Sequence, residues 1–191
     1  MSMIDISNVI NISLVVSPAG LAPYSINNLV CFTKDAPLAS LGADYAVYAS
    51  AADVFTDFGT SDTYDAAVAV FSQSPNVVSG GGFFIVIPML TDEVLEQAIV
   101  RAEGLVYYGA CSHTYTLGIT GPTGYTGATG ANVEAIRAMA VAESSGKLIF
   151  LSTNLTSDLT TPGLAFTAED LSYEHSRVLF HTVADQLEPF R

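Results

Sequence analysis

Asp57-Phe58-Gly59 is the triplet that holds magnesium in protein kinases. That chemistry also needs a glycine-rich loop upstream, a strand lysine and a His-Arg-Asp catalytic loop. No His-Arg-Asp triplet occurs, and Lys34 is the only lysine ahead of Asp57, so the triplet is assigned to a helix end. A phosphate-cradling loop fails on spacing, because the one Gly-Lys pair, Gly146-Lys147, is followed by Leu148 and has Val141 where the first glycine belongs. The "SGGG" run (79–82) leads into a strand, not into the helix N-terminus that a pyrophosphate needs. Cys111 and His113 stand two residues apart, but further metal ligands would have to come from distant His175 or His181 with no supporting spacing. No GxSxG elbow is present, and Asp57, Asp62 and Asp65 gather at a helix start, where acids favour the helix dipole. No catalytic residue, cofactor or metal is therefore assigned.

The elements that would position such groups alternate in type. Residues 6–20 set apolar Val9, Ile10, Ile12 and Leu14 against polar Asn8, Asn11 and Ser13 and end at Pro18 and Gly20, an extended N-terminal strand. Residues 27–34 form a second strand. Ser50 caps a short helix with Asp53 three residues on; Val54, Phe55 and Phe58 make its apolar face and Gly59 ends it. The next helix runs over 62–74, with Tyr64, Ala67, Val68 and Phe71 as its stripe and Pro75 as its stop. "FFIVIP" (83–88) is apolar at consecutive positions, as in a strand buried on both faces. Thr91 caps a helix carrying Leu95, Ala98, Ile99 and Ala102, and 105–110 is the next strand. Asn132 begins a helix with Val133, Ile136 and Ala140 on one side; strand 147–154, a helix over 167–176 capped by Thr167 and strand 177–183 complete the chain. This alternation predicts an α/β fold, a mostly parallel sheet with helices packed on it and an extended N-terminal arm. The arm spans 1–20 and the α/β domain 21–191. The glycines at 118, 121, 124, 127 and 130 mark 118–130 as a Gly/Thr-rich loop; their three-residue period is that of collagen, in a run too short for a triple helix by itself.

Composition narrows the partners. The chain of 191 residues holds 19 Asp+Glu against 6 Lys+Arg, a net charge of −13, and such a polyanion without a basic cluster repels nucleic acid and anionic membranes. Mean hydropathy is +0.42 with only 13% charged residues, yet no apolar run approaches the roughly 18–20 residues of a membrane span. Asp5 stands where a signal peptide carries positive charge, so a protein that is not exported is expected. An apolar, charge-poor chain without a span points to surface covered by sister subunits. Cys31 and Cys111 match no disulfide framework and are read as small buried hydrophobes with reduced thiols.

Residues 48–76, "YASAADVFTDFGTSDTYDAAVAVFSQSPN", resemble a conserved stretch of contractile-phage tail sheath-like proteins. The shared order is a Tyr/Ser turn, a short helix ending in Phe-Gly and a helix ending in Phe-Ser-Gln-x-Pro. Residues 9–20, 95–110, 133–154 and 176–183 are similar to that family in patches. The resemblance implies a virion structural protein: a homo-oligomer of hexameric stacked rings around a phage tail tube, contacting baseplate proteins and assembled in the host bacterial cytoplasm. It implies that neighbours exchange extended arms that complete one another's sheets. Val9, Ile10, Ile12 and Leu14 would then lie at the subunit interface on the donated arm. Sheath proteins continue well beyond the position of Arg191, so beside them this chain is either a fragment truncated at its C-terminus or a shortened paralogue; they also often carry an inserted domain between 83–88 and Thr91, where this chain is very short. Two alternatives compete. One is an α/β small-molecule enzyme with a loop site among Cys111, His113 and Asn154; the other is a trimeric adhesion or decoration protein built on the Gly-x-Thr repeat.

Overall fold

A computed structural model describes residues 28–103, 116–120, 129–153, 156–160 and 163–180. Among them the chain forms β1 (Leu29–Thr33), β2 (Ala46–Tyr48), α1 (Ala51–Phe58), α2 (Asp62–Phe71), β3 (Phe84–Pro88) and α3 (Leu95–Glu103). It continues through β4 (Thr116–Thr120), α4 (Thr129–Ser144), β5 (Leu148–Thr153), a 3-10 turn (Thr156–Leu159), α5 (Leu164–Asp170) and β6 (Ser176–Phe180). The six strands make one sheet in the order β2-β3-β1-β4-β5-β6. β1 pairs parallel with β3 and β4, β4 with β5, and β5 with β6, whereas β2 runs antiparallel along β3. The fold is α/β and its sheet is mixed, so the expectation of a mostly parallel sheet missed the antiparallel edge. The three residues of β2 fall in a stretch rich in Ala, Gly and Ser, without the run of alternation that marks a strand.

Side-chain alternation along the inner strands feeds two cores. Val30, Phe32, Ile85, Ile87, Ile149 and Leu151 pack with the buried faces of α3, α4 and α5. Cys31, Phe84 and Val86 point the other way and pack with Val54 and Phe58 of α1 and Ala66, Ala67 and Val70 of α2. Burial on both faces is why "FIVIP" is apolar throughout.

Local signals set the ends of α1: Ser50 accepts from the Asp53 N–H, and Gly59, at φ +60°, receives the chain in a conformation that L side chains rarely adopt. The helices differ from the expected ones mainly in phase. α2 ends at Phe71 and buries Thr63, Ala66, Ala67 and Val70, while Val68 of the expected stripe faces outward. Phe55 of α1 is likewise exposed. α4 begins at Thr129 and buries Ala135, Ala138, Met139 and Ala142, leaving Val133 outside. In α2 and α4 alanines share the buried face with Val70 and Met139, because small side chains let a helix approach its neighbours closely. α3 starts at Leu95, beyond Thr91, which sits in a turn with Asp92. Leu95, Ala98, Ile99 and Ala102 do form its buried stripe. α5 is capped by Gly163, and the Thr167 hydroxyl bonds back to the Gly163 carbonyl inside the helix.

Of the expected Gly/Thr-rich loop, Gly118–Thr120 belong to β4, paired between β1 and β5, and Thr129–Gly130 open α4, while residues 121–128 lie outside the described residues. The arm residues Val9, Ile10, Ile12 and Leu14, the expected strand 105–110, Cys111, His113, Asn154 and His181 lie outside the described residues.

Candidate functional site

The kinase-like triplet is used up by the fold. The Tyr48 hydroxyl donates to Asp57 Oδ2 (2.7 Å), Phe58 is in the core and Gly59 terminates α1. Burial, and then the bond to Asp57, push the Tyr48 phenol well above its usual range, so it stays a donor. Asp57 is thus held by a neighbouring strand.

Polar groups converge at the carboxyl ends of the parallel-paired strands. Thr33, the last residue of β1, is fully buried, and its hydroxyl meets that of Thr63 at 2.7 Å. Asp35 Oδ2 accepts from the Thr63 N–H (2.9 Å) and hydroxyl (2.6 Å), and the Asp35 N–H donates to Thr33 Oγ1 (3.0 Å). One carboxylate thereby ties the end of β1 to the first turn of α2, satisfying a backbone donor that the helix leaves open. Asp62 lies nearby, its carboxyl raised by partial burial and by the charges of Asp35 and Asp65.

Beside this network, across the ends of β1 and β3, lies a cleft of about 480 Å³ lined by Lys34, Asp35, Met89, Thr91, Asp92 and Glu93 among others. Glu93 forms its most ordered wall. It accepts from Arg101 Nε (2.7 Å) and Nη2 (2.8 Å) and from the Leu90 N–H (2.9 Å), and Nη2 also reaches the Pro88 carbonyl (3.0 Å). The Arg101 hydrogen bond holds the Glu93 carboxyl below its usual range against the opposing effect of burial, and Glu93 in turn raises Arg101. Asp92, on the rim, has φ +62°, a left-handed conformation uncommon for a side-chain-bearing residue.

Further along the sheet the buried Asp158 accepts from the Thr153 hydroxyl at the end of β5. At the opposite end, Glu143 of α4 fixes the start of β6: Oε2 accepts from the His175 N–H (2.8 Å) and Oε1 lies 3.0 Å from Nδ1. Burial raises the Glu143 carboxyl, but the backbone N–H bonds from His175 and Glu174 and the His175 ring outweigh it and lower it overall. Asp35, Glu93, Asp158 and Glu143 each have an internal partner. The arrangement braces strands, and no set of three metal-ligating side chains occurs among the described residues. His175, a distant metal-ligand candidate, serves this clasp.

Of the three acids expected at a helix start, Asp62 and Asp65 are in the first turn of α2, whereas Asp57 lies in the last turn of α1, where Tyr48 and not a helix N-terminus holds it. Sequence reasoning missed the Thr33–Asp35–Thr63 network and the Glu93–Arg101 pair, whose partners come from different elements. The sheet offers one more feature: among the described strands, β2 and β6 each pair along one side only. Comparison of the chain with known protein families and with curated proteins finds no match.

Proposed function

We propose that this chain is a structural subunit, a tail sheath or sheath-like protein of a contractile phage tail, that self-assembles by strand donation. The observation carrying this reading is the pair of outer strands. A strand with one unpaired side presents a row of backbone donors and acceptors, and an extended segment from a neighbour satisfies them by adding to the sheet. The alternating segment containing Val9, Ile10, Ile12 and Leu14 has the pattern of such a donor, and the resemblance of residues 48–76 supplies the assembly. The bracing of β1, β3 and β6 by Asp35, Glu93 and Glu143 suits a subunit that is moved as a rigid body. Light scattering over a concentration series, with negative-stain microscopy of the same samples, tests the reading. Rings or tubes are expected for the full chain, and deletion of residues 1–16 is expected to abolish them while the circular dichroism spectrum persists. A deleted chain that still polymerises removes the arm from the proposal, and a monomer at every concentration removes self-assembly.

The cleft favours a second reading, a small-molecule enzyme. Counting only strands in parallel pairs, the spatial order is that of a doubly wound 2-1-3-4-5 sheet, in which ligands bind outside the carboxyl ends of the strands. The cleft lies at those ends and falls within the roughly 300–1,000 Å³ typical of ligand sites. Discrete ligand-induced shifts of Lys34, Asp35 and Asp92 resonances during a metabolite screen would support it.

A further inference from the structure

The outer surface of α1 and α2 carries an apolar strip that the fold does not cover. Phe55 packs its ring edge-on against Tyr64 with centroids 5.1 Å apart, yet stays 48% exposed. Val68, one turn along α2 from Tyr64, is 41% exposed. At the other end, one turn along α1 from Phe55, Gly59 lies under the methyl groups of Leu38, which is 71% exposed. Single exposed apolar side chains are ordinary, whereas a run of neighbours with an aromatic pair at its centre is the make-up of a contact surface.

The surroundings of the strip specify what fits it. Asp62 and Asp65 are exposed on α2 and Asp53 on α1, and no Lys, Arg or His occurs anywhere from Asp35 to Val100. No basic side chain in these elements pairs with the acids, and Asp62 already feels both Asp35 and Asp65. A second copy of the chain cannot supply the missing charge well. Of its 6 Lys+Arg, Arg101 is engaged by Glu93 and Lys147 is buried, which leaves four cations to set against the 19 Asp+Glu of each copy.

We infer that the α1–α2 face is a docking surface for a heterologous partner that presents basic side chains flanking an apolar anchor. The anchor lies on the Phe55–Tyr64–Val68 strip, and the flanking cations approach Asp62 and Asp65. An arginine is favoured over a lysine because its planar guanidinium stacks on the exposed aromatic ring while pairing with a carboxylate. The inference does not depend on the structural-subunit reading, since it rests on the charge and exposure of two helices.

The test uses the full-length chain and the peptide acetyl-Gly-Arg-Leu-Trp-Arg-Gly-amide, titrated at physiological salt and followed by backbone amide NMR. Shifts are expected around Phe55, Tyr64, Asp65 and Val68. Phe55→Ser, and separately Asp62→Asn with Asp65→Asn, should each weaken binding roughly tenfold, the scale of one lost anchor or two lost charge pairs. Glu169→Gln with Asp170→Asn, the same loss of charge on α5, should leave affinity within about twofold. Equal weakening by that control, or equal binding of a peptide with Ser-Ser in place of Leu-Trp, would reduce the effect to general attraction and overturn the inference. So would shifts centred elsewhere, no shifts at millimolar peptide, or Phe55-dependent self-association indifferent to the peptide.

Discussion

At the scale of single residues, the fold is held at its strand ends by carboxylates that each serve several donors. Glu93 is the clearest case, with two guanidinium nitrogens and a backbone N–H on one side chain that is 8% exposed. Arg101 Nη1 is already buried without an acceptor, so removing Glu93 would strand the guanidinium further. Glu93→Ala is expected to cost about 2 kcal/mol, a fall of roughly 5 °C in the thermal midpoint of a chain this size. Because the folded state lowers the Glu93 carboxyl, its stabilisation is full above the ordinary glutamate range and is lost as pH falls through the lowered value. Thermal unfolding across pH 3–7 checks this: the gap between wild type and Glu93→Ala should narrow toward the acid end, and a constant gap would assign the loss to packing.

At the scale of elements, the question is which face of each helix meets the sheet. In α1, Phe58 is 4% exposed in the core while Phe55, three residues earlier, is 48% exposed. Phe58→Ala should therefore cost about 3–5 kcal/mol, with Phe55→Ala close to neutral, within about 1 kcal/mol once its contact with Tyr64 is counted. Urea denaturation of the two variants decides it, and similar losses would mean that the strip is part of the core. The same logic explains the helix phases. Apolar spacing in α2 admits two stripes, one through Tyr64, Ala67, Val68 and Phe71 and one through Thr63, Ala66, Ala67 and Val70, and hydropathy prefers the first. The second is buried because alanines permit close approach and the Thr63 hydroxyl finds Thr33 and Asp35. Only a partner on β1 makes a threonine a good core residue.

At the scale of the whole molecule, β1 and β3 lie inside the sheet with helices on both faces, and β2 and β6 lie at its margins. Global opening should govern exchange of the amides of Val30–Phe32 and Ile85–Ile87, with local fraying governing Ala46–Tyr48 and Ser176–Phe180. Native-state hydrogen exchange of the isolated subunit checks this order. If the outer strands are receptors for donated arms, their amides should slow on assembly and those of β1 should not; uniform protection would place the contact elsewhere.

The sequence by itself determined the alternation of helices and strands apart from β2 and β4, the ends of α1, the stripe of α3 and the doubly buried β3, since these rest on caps, glycines and local runs of apolar residues that act within a few positions. The tertiary structure alone decided the strand order, the antiparallel β2 and the placement of Gly118–Thr120 inside the sheet, because pairing depends on residues far apart in sequence. It also decided which acids are braces. Asp35, Glu93 and Glu143 look like ordinary surface acids until Thr63, Arg101 and His175 are brought to them, and those meetings are set by packing. The candidate donor arm was legible only as a pattern of alternation, for which the physics of an unpaired sheet edge provides a destination and a second chain must provide the edge.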